Sequence, residues 1–254
     1  MARICWIGDV NQLPSVGPGA VLRDLIDCGK IPVARLETIH RQSEKSRIAK
    51  NSKEIRKGSL ALDWGKDFQM ISADSIEETA EKIISLYATL VQEFSKEEVV
   101  VLTPYRRNTA TGSRQLNERI RDVMNPARQG IRELTVGKDR RIYRVGDRVM
   151  QCRNIGAVRN GDIGEIIDIK RDEATGEMIV LVRFEGGIQR EYARESLTEL
   201  ELAYAMTIHK SQGSEYRACI IACNIEHKRL LSRKTLYTAV TRAKEKVMLC
   251  GDPK

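Results

Sequence analysis

Apolar and polar positions along this chain follow two periods, and the switch between them divides it. The helical period dominates at first. AVLRDLIDC (20–28) carries apolar residues at helical spacing and is stopped by Gly29, and SRIAKNSKEIRKG (46–58) runs to Gly58 in the same way. SIEETAEKIISLYATLVQEF (75–94) opens with Ser75 and Glu78 at capping-box spacing and continues as a long amphipathic helix; SRQLNERIRDVMN (113–125) is another. Between these helices lie short apolar runs of strand type: Cys5-Trp6-Ile7 ending at Gly8-Asp9, IPVARLE (31–37), DFQMIS (67–72) and the β-branched EEVVVLTP (97–104). Alternation of this kind predicts an α/β fold whose parallel sheet is covered by helices on both faces.

Near residue 141 the period shortens. YRVGDRVMQCRN, NGDIGEIIDIKRD, EMIVLVRFEG and IQREYA are alternating segments separated by Asn160-Gly161, Thr175-Gly176 and Gly186-Gly187, which are hairpin signals. Residues 141–198 therefore read as a small all-β barrel inserted into the α/β unit. From Leu200 the earlier rhythm returns with LELAYAMTIHKSQG, a strand EYRACIIACN, a helix SRKTLYTAVTRAKE (232–245) and a closing strand KVMLCGD.

Composition changes the picture in one respect. Forty-three Lys and Arg against 35 Asp and Glu leave a formal charge of +8 on 254 residues, a balance that suits a polyanionic partner such as nucleic acid. No run of apolar residues is long enough to span a bilayer and the N-terminus lacks a secretion-signal pattern, so a cytoplasmic protein with no membrane partner is expected. The six cysteines show no C-x-x-C pair and no histidine at zinc spacing, and read as reduced thiols.

Four stretches carry chemistry. In GDVNQLPSVGPG (8–19), Gln12 follows a strand end, where a carboxamide can donate to a phosphate or hold an attacking water. In IHRQ (39–42), Arg41 offers the planar fork suited to a terminal phosphate. In AMTIHKSQGSEYRACI (205–220), Thr207, His209, Lys210 and Ser211 gather hydroxyl, imidazole and ammonium donors in one turn, an arrangement that can grip a phosphodiester backbone without reading bases. No serine or cysteine nucleophile motif stands beside His209 to support a general-base role. In LYTAVTRAKEKVMLCGD (236–252), Arg242 on the helix before the last strand could act as an arginine finger. Each of these residues has an ordinary alternative as a turn, surface or ion-pair residue.

Taken together and in order, GD-x-x-QLPSVGPG, L-x-x-I-x-RQ, LTPYRR, GDRVMQ with NGDIG, YAMTIHKSQGSE and LYTAVTRA resemble the RecD-like branch of superfamily 1 DNA helicases, which includes the exodeoxyribonuclease V α-subunit and TraA types. The resemblance implies two RecA-like lobes of the P-loop NTPase type, ATP with Mg²⁺ in the cleft between them, 5′-to-3′ movement on single-stranded DNA or on a duplex with a 5′ single-stranded tail, and an SH3-like barrel in the second lobe. On that basis residues 1–30 form the last strand and helix of the first lobe, 31–140 with 199–254 the second, and 141–198 the barrel. The resemblance makes Gln12 a γ-phosphate sensor and assigns Arg41 and Arg242 to ATP. It places Glu215, with Gly213 beside it, near the nucleotide ribose. Thr207, His209, Lys210 and Ser211 become the DNA grip, with Thr103 of LTPYRR a further candidate. GAVRNGD departs from the family pattern, where an aromatic is common, which affects only the barrel contacts.

Two parts of such an enzyme have no counterpart in the sequence: no G-x-x-x-x-G-K-[ST] loop occurs, and no acidic pair ends a strand to hold Mg²⁺. The expectation is the C-terminal motor half of a helicase, a monomer partnered by its own N-terminal lobe and inactive toward ATP alone; nuclease-complex subunits are a further partner class. A non-hydrolysing module that binds single-stranded DNA or a protein, and a subunit that lends Arg41 and Arg242 to another protein's nucleotide, are the alternatives.

Overall fold

Val99–Thr103 is buried on both faces, and a strand so enclosed needs a layer of helices above and below. In the computed structural model it is an interior strand, one in from the edge, of a five-stranded, all-parallel sheet. The structure describes all residues except 1–3, 15, 16, 18, 36–45, 60, 138, 174 and 254. The elements in chain order begin with helices α1 (Val21–Asp27) and α2 (Arg47–Lys57), strand β1 (Phe68–Ser72), helix α3 (Ile76–Glu93), strand β2 (Val99–Thr103) and helix α4 (Ser113–Met124). Strands β3 (Glu133–Val136), β4 (Arg141–Arg144), β5 (Arg148–Gln151), β6 (Ile163–Arg171), β7 (Met178–Phe184), β8 (Gln189–Ala193) and β9 (Leu200–Leu202) follow. The chain closes with β10 (Ala205–Thr207), β11 (Tyr216–Cys223), α5 (Arg233–Val240) and β12 (Ala243–Gly251).

The parallel sheet has the order β1-β12-β11-β2-β10. Helices α2 and α5 bury Ile48, Ile55, Ala239 and Val240 against one face; α3 and α4 bury Ile83, Tyr87, Leu116 and Ile120 against the other. Local signals set the helix ends. Ser46 and Ser75 each accept a backbone N–H two or three residues on, from Ile48 (3.2 Å) and Glu78 (3.1 Å). The Glu78 carboxylate accepts from the Asp74 N–H rather than from Ser75, so the expected capping box reaches one residue further upstream. Gly58 ends α2 with φ +82°, a conformation that a side chain resists.

The inserted β region is an antiparallel sheet of order β8-β7-β6-β5-β9, with the β3–β4 hairpin beside it and a core of its own around Tyr143, Ile166, Val182 and Tyr192. Its strands begin at Glu133 and end at Leu202, wider than the 141–198 read from periodicity. Buried Arg148 joins it to the parallel sheet: its guanidinium donates to the carbonyls of Lys96 (2.6 Å), Glu97 (3.1 Å) and Val99 (2.7 Å) at the entrance of β2. Tyr204 adds a second tie through Asp147 (3.3 Å), whose burial raises its carboxyl above the usual range.

Several expectations are corrected. Cys5-Trp6-Ile7 is not a strand; Ile4, Trp6 and Ile7 are exposed, and an extended segment becomes a strand only when a neighbour completes its ladder. Residues 31–35 form no strand either, and 36–37 lie outside the described residues. The reading of 232–245 as helix overshoots, because α5 stops at Val240 and Tyr216 N–H donates to the Arg242 carbonyl (2.9 Å) as the chain enters β12. Asn160-Gly161 sits at the base of the β5–β6 connection, whose tip is closed by mutual bonds between Ile155 and Val158. None of the described helices is long and apolar enough to cross a membrane.

Candidate functional site

The turn after the first apolar run packs onto the other end of the chain. Leu13 N–H donates to the Thr238 hydroxyl (3.0 Å) on α5, and the Gln212 amide donates to the Leu13 carbonyl (2.8 Å). These contacts bring Gln12 to Arg242. The Arg242 Nη2 donates to Gln12 Oε1 (3.3 Å), while its Nε and Nη1 donate to the carbonyls of Thr238 (3.1 Å) and Ser214 (3.2 Å). Arg242 is 3% exposed, so its fork is held by fixed carbonyls and aimed across the gap between α5 and the 8–13 turn. It lies just beyond the helix, not on it, and that position gives its side chain two carbonyls from different segments.

Asp9 organises the other partner. Its Oδ2 accepts from Gln12 Nε2 (3.3 Å) and from the Tyr237 hydroxyl (3.1 Å), and its Oδ1 accepts from the Asn11 N–H (2.9 Å). Burial, with Asp9 opposite, pushes the Tyr237 phenol up to about 12, so it remains a donor. Neither Asp9 nor Tyr237 stood out in the sequence, although Asp9 belongs to the quoted Gly8-Asp9 pair.

The 207–215 turn follows β10. Thr207 Oγ1 accepts from Lys210 N–H (3.4 Å), Ser211 Oγ donates to the Ile208 carbonyl (2.8 Å), and Gly213 takes φ +88°. Ser211 is buried with its hydroxyl spent on closing the turn; His209 is exposed. Glu215 is exposed and pairs with Lys244 (3.0 Å). Thr103 is fully buried, and its hydroxyl donates to the Thr111 carbonyl (2.7 Å), which fixes the 104–112 loop rather than facing solvent. Arg41 lies outside the described residues.

Lys210 is less free than its place in a turn suggests. Its Nζ donates to Glu201 Oε2 (2.8 Å) and to Cys152 Sγ (3.3 Å), and Glu201 also pairs with Arg106. Burial would raise the Glu201 carboxyl, yet Lys210 and Arg106 hold it below the usual range. Burial likewise works against the Lys210 charge, but Glu201 raises it above the ordinary value. Beside this group an open recess between α4 and β4 is rimmed by Arg106, Arg107, Arg114 and Arg141, with Glu118 and Glu201 among them. The surface around the turn is thus rich in cations that carboxylates hold in check, Lys210 and Arg106 through Glu201 and Arg114 through Glu118 and Asp139.

The fold and its inserted β unit have counterparts among known helicase families. Three known families match in chain order: an AAA domain over residues 1–75, the SH3 domain of ATP-dependent RecD-like DNA helicases over 116–184, and the UvrD-like helicase C-terminal domain over 202–250. In the content and order of these matches the chain resembles the RecD-like helicases. It is 30% identical over 98% of its length to the ATP-dependent RecD2 DNA helicase of Deinococcus radiodurans, covering 33% of that protein. It is also 30% identical over 98% of its length to the RecBCD enzyme subunit RecD of Mycolicibacterium smegmatis, covering 45%, and 28% identical to the conjugal transfer protein TraA of Rhizobium radiobacter, covering 22%. The chain therefore spans less than half the length of these relatives. Among solved structures, Bacteroides Pif1 bound to single-stranded DNA has the same fold over 95% of this chain and 60% of its own, with a TM-score of 0.55 at 18% identity.

Proposed function

We propose that this chain is the C-terminal motor portion of an ATP-dependent 5′-to-3′ DNA helicase, in which Gln12 and Arg242 form one side of the contact with the γ-phosphate of ATP. The observation that carries the reading is the convergence of these two side chains from positions 230 apart, with Arg242 buried and braced by two carbonyls. A braced, permanently charged fork loses little freedom when it meets a phosphoryl oxygen, which is the requirement for stabilising charge on a transferring group. Arg242 can exchange its bond to Gln12 for one to that oxygen, and the second Nε2 hydrogen of Gln12, beside the one given to Asp9, can donate to it as well. Asp9 and Tyr237 then keep the Gln12 amide oriented.

The donor set fits one face of a triphosphate and no more. ATP-bound Mg²⁺ would supply charge neutralisation; Arg242 and Gln12 would bind and orient the terminal phosphate, with Arg41 a second cation for it and Gly213 and Glu215 on the ribose side. Residues 1–30 belong with the first motor lobe, 31–140 and 199–254 form the second, and the β insert extends from it. Thr207, His209 and Lys210 take the DNA backbone, Ser211 shapes their turn, and Thr103 fixes the adjoining loop. The sequence-independent chemistry of that grip suits a single strand passing through in steps.

Because the sequence has no Walker-type loop or acidic Mg²⁺ pair, the 254-residue chain alone should turn over no ATP. A phosphate-release assay with and without single-stranded DNA tests this. Turnover that copurifies with the chain and disappears in Arg242→Ala would overturn the assignment of a shared site.

A further inference from the structure

We propose that the cavity between α1, α2 and α5, bounded by Asn11, Arg23, Arg56, Arg233, Lys234 and Tyr237, is a second anion site that takes a phosphate group. It is a small, open recess, and four of its six lining residues are cations while none is a carboxylate. Among the described residues, Arg23, Arg56, Arg233 and Lys234 form no ion pair. Elsewhere on this protein exposed arginines do find acids, as Arg132 does with Asp168 and Arg183 with Glu165.

Placement adds to the repulsion among these four groups. Arg233 and Lys234 occupy the first turn of α5, the end at which the helix dipole works against a cation. The Arg233 side chain lies over Gly58, with Nη1 3.2 Å from where a Cβ would stand there, so a larger residue at 58 would displace it. A dianionic phosphate in the cavity would relieve both costs, since guanidinium forks match its oxygens in pairs.

The site is also joined to the Gln12–Arg242 contact. Tyr237 lines the cavity and donates to Asp9 Oδ2 (3.1 Å), the same oxygen that accepts from Gln12 (3.3 Å). Asn11 lines it too and donates from its side chain to Asp9 Oδ1 (3.2 Å). An anion that shifts either residue moves the carboxylate that orients Gln12. Phosphate binding stands independently of the helicase reading; its link to the γ-phosphate contact rests on that reading.

Inorganic phosphate titrated into the full chain, followed by calorimetry, tests the site. The Arg56→Gln/Arg233→Gln double variant should bind phosphate at least about tenfold more weakly, having lost two charge-assisted bonds. Arg217 does not line the cavity and pairs with Glu245, and Arg217→Gln should bind phosphate as the unaltered protein does. Thermal melts of both variants check that the fold persists. Displacement of the phosphate by an oligothymidylate identifies a DNA-backbone phosphate as the ligand, and failure to displace it identifies the free ion; either result supports the site. Unaltered binding by the double variant, or an equal loss of binding in Arg217→Gln, overturns it, as does the absence of phosphate binding to the unaltered protein.

Discussion

Glu201→Gln should make this protein hold single-stranded DNA more tightly and with a steeper dependence on salt. Glu201 is the carboxylate that neutralises both Lys210 (2.8 Å) and Arg106, the two cations nearest the Thr207–Ser211 turn. Glutamine keeps the shape and one hydrogen-bond acceptor but removes the charge, so two cations become available to phosphates. On single strands each phosphate neutralised adds about 0.7 to the slope of log K against log salt, and two would add about 1.4. The gain in affinity at low salt should fade as ionic strength rises, since the released ions are then no longer dilute. Fluorescence anisotropy of a labelled oligothymidylate across a salt series measures both quantities. A variant with the original slope and affinity would refute the idea that Glu201 restrains a DNA-gripping pair, and with it the placement of the grip at Lys210.

Three further outcomes follow from the same geometry. Arg148→Met leaves the buried Val99 carbonyl unpaired, while those of Lys96 and Glu97 can turn to water; the cost should be about 2–4 kcal/mol, and the melting temperature should fall by roughly 5–10 °C. Burial lowers the His227 imidazole below its ordinary range, so the unfolded chain binds that proton more readily. Its contribution is fully present above about pH 6.5 and is lost as pH falls through the lowered value; His227→Gln should flatten that part of a denaturant-stability profile against pH. Tyr237→Phe removes the hydroxyl bond to Asp9 and should leave melting nearly unchanged, within about 1 kcal/mol, while weakening nucleotide-dependent protection of the 8–13 turn in hydrogen exchange on a polypeptide that contains both lobes.

Most of the motor was legible from local pattern because its elements are specified locally. Ser75 with Glu78 marked the start of α3, and the β-branched run at 99–103 marked a strand that is indeed buried on both sides. Failures came where an element depends on something distant. Cys5-Trp6-Ile7 has the composition of a strand but no described neighbour to pair with, and TRAKE continues a helical pattern that a carbonyl–amide bond from Arg242 to Tyr216 interrupts. The site shows the same division. The residue types in QLPSVGPG and TIHKSQG suggested phosphate chemistry, whereas their arrangement depends on contacts between distant parts of the chain. Ser211 and Thr103 looked like available hydroxyls, yet both are buried and committed to nearby carbonyls. Asp9, Tyr237 and Glu201, which orient or restrain the named residues, are acids and a phenol at unremarkable positions in sequence; only the folded chain reveals their partners.

The central claim is that Arg242 is a charge-stabilising partner for ATP supplied by this chain to a phosphate-holding lobe. DNA-stimulated ATP turnover should therefore be measured in a polypeptide that joins such a lobe, carrying its Walker-type loop, to residues 1–254, with Arg242 intact and as Arg242→Ala. Loss of an arginine finger predicts a fall in turnover of about a thousandfold or more, with binding of single-stranded DNA retained. Turnover that stays within a few-fold of the unaltered polypeptide would contradict the account.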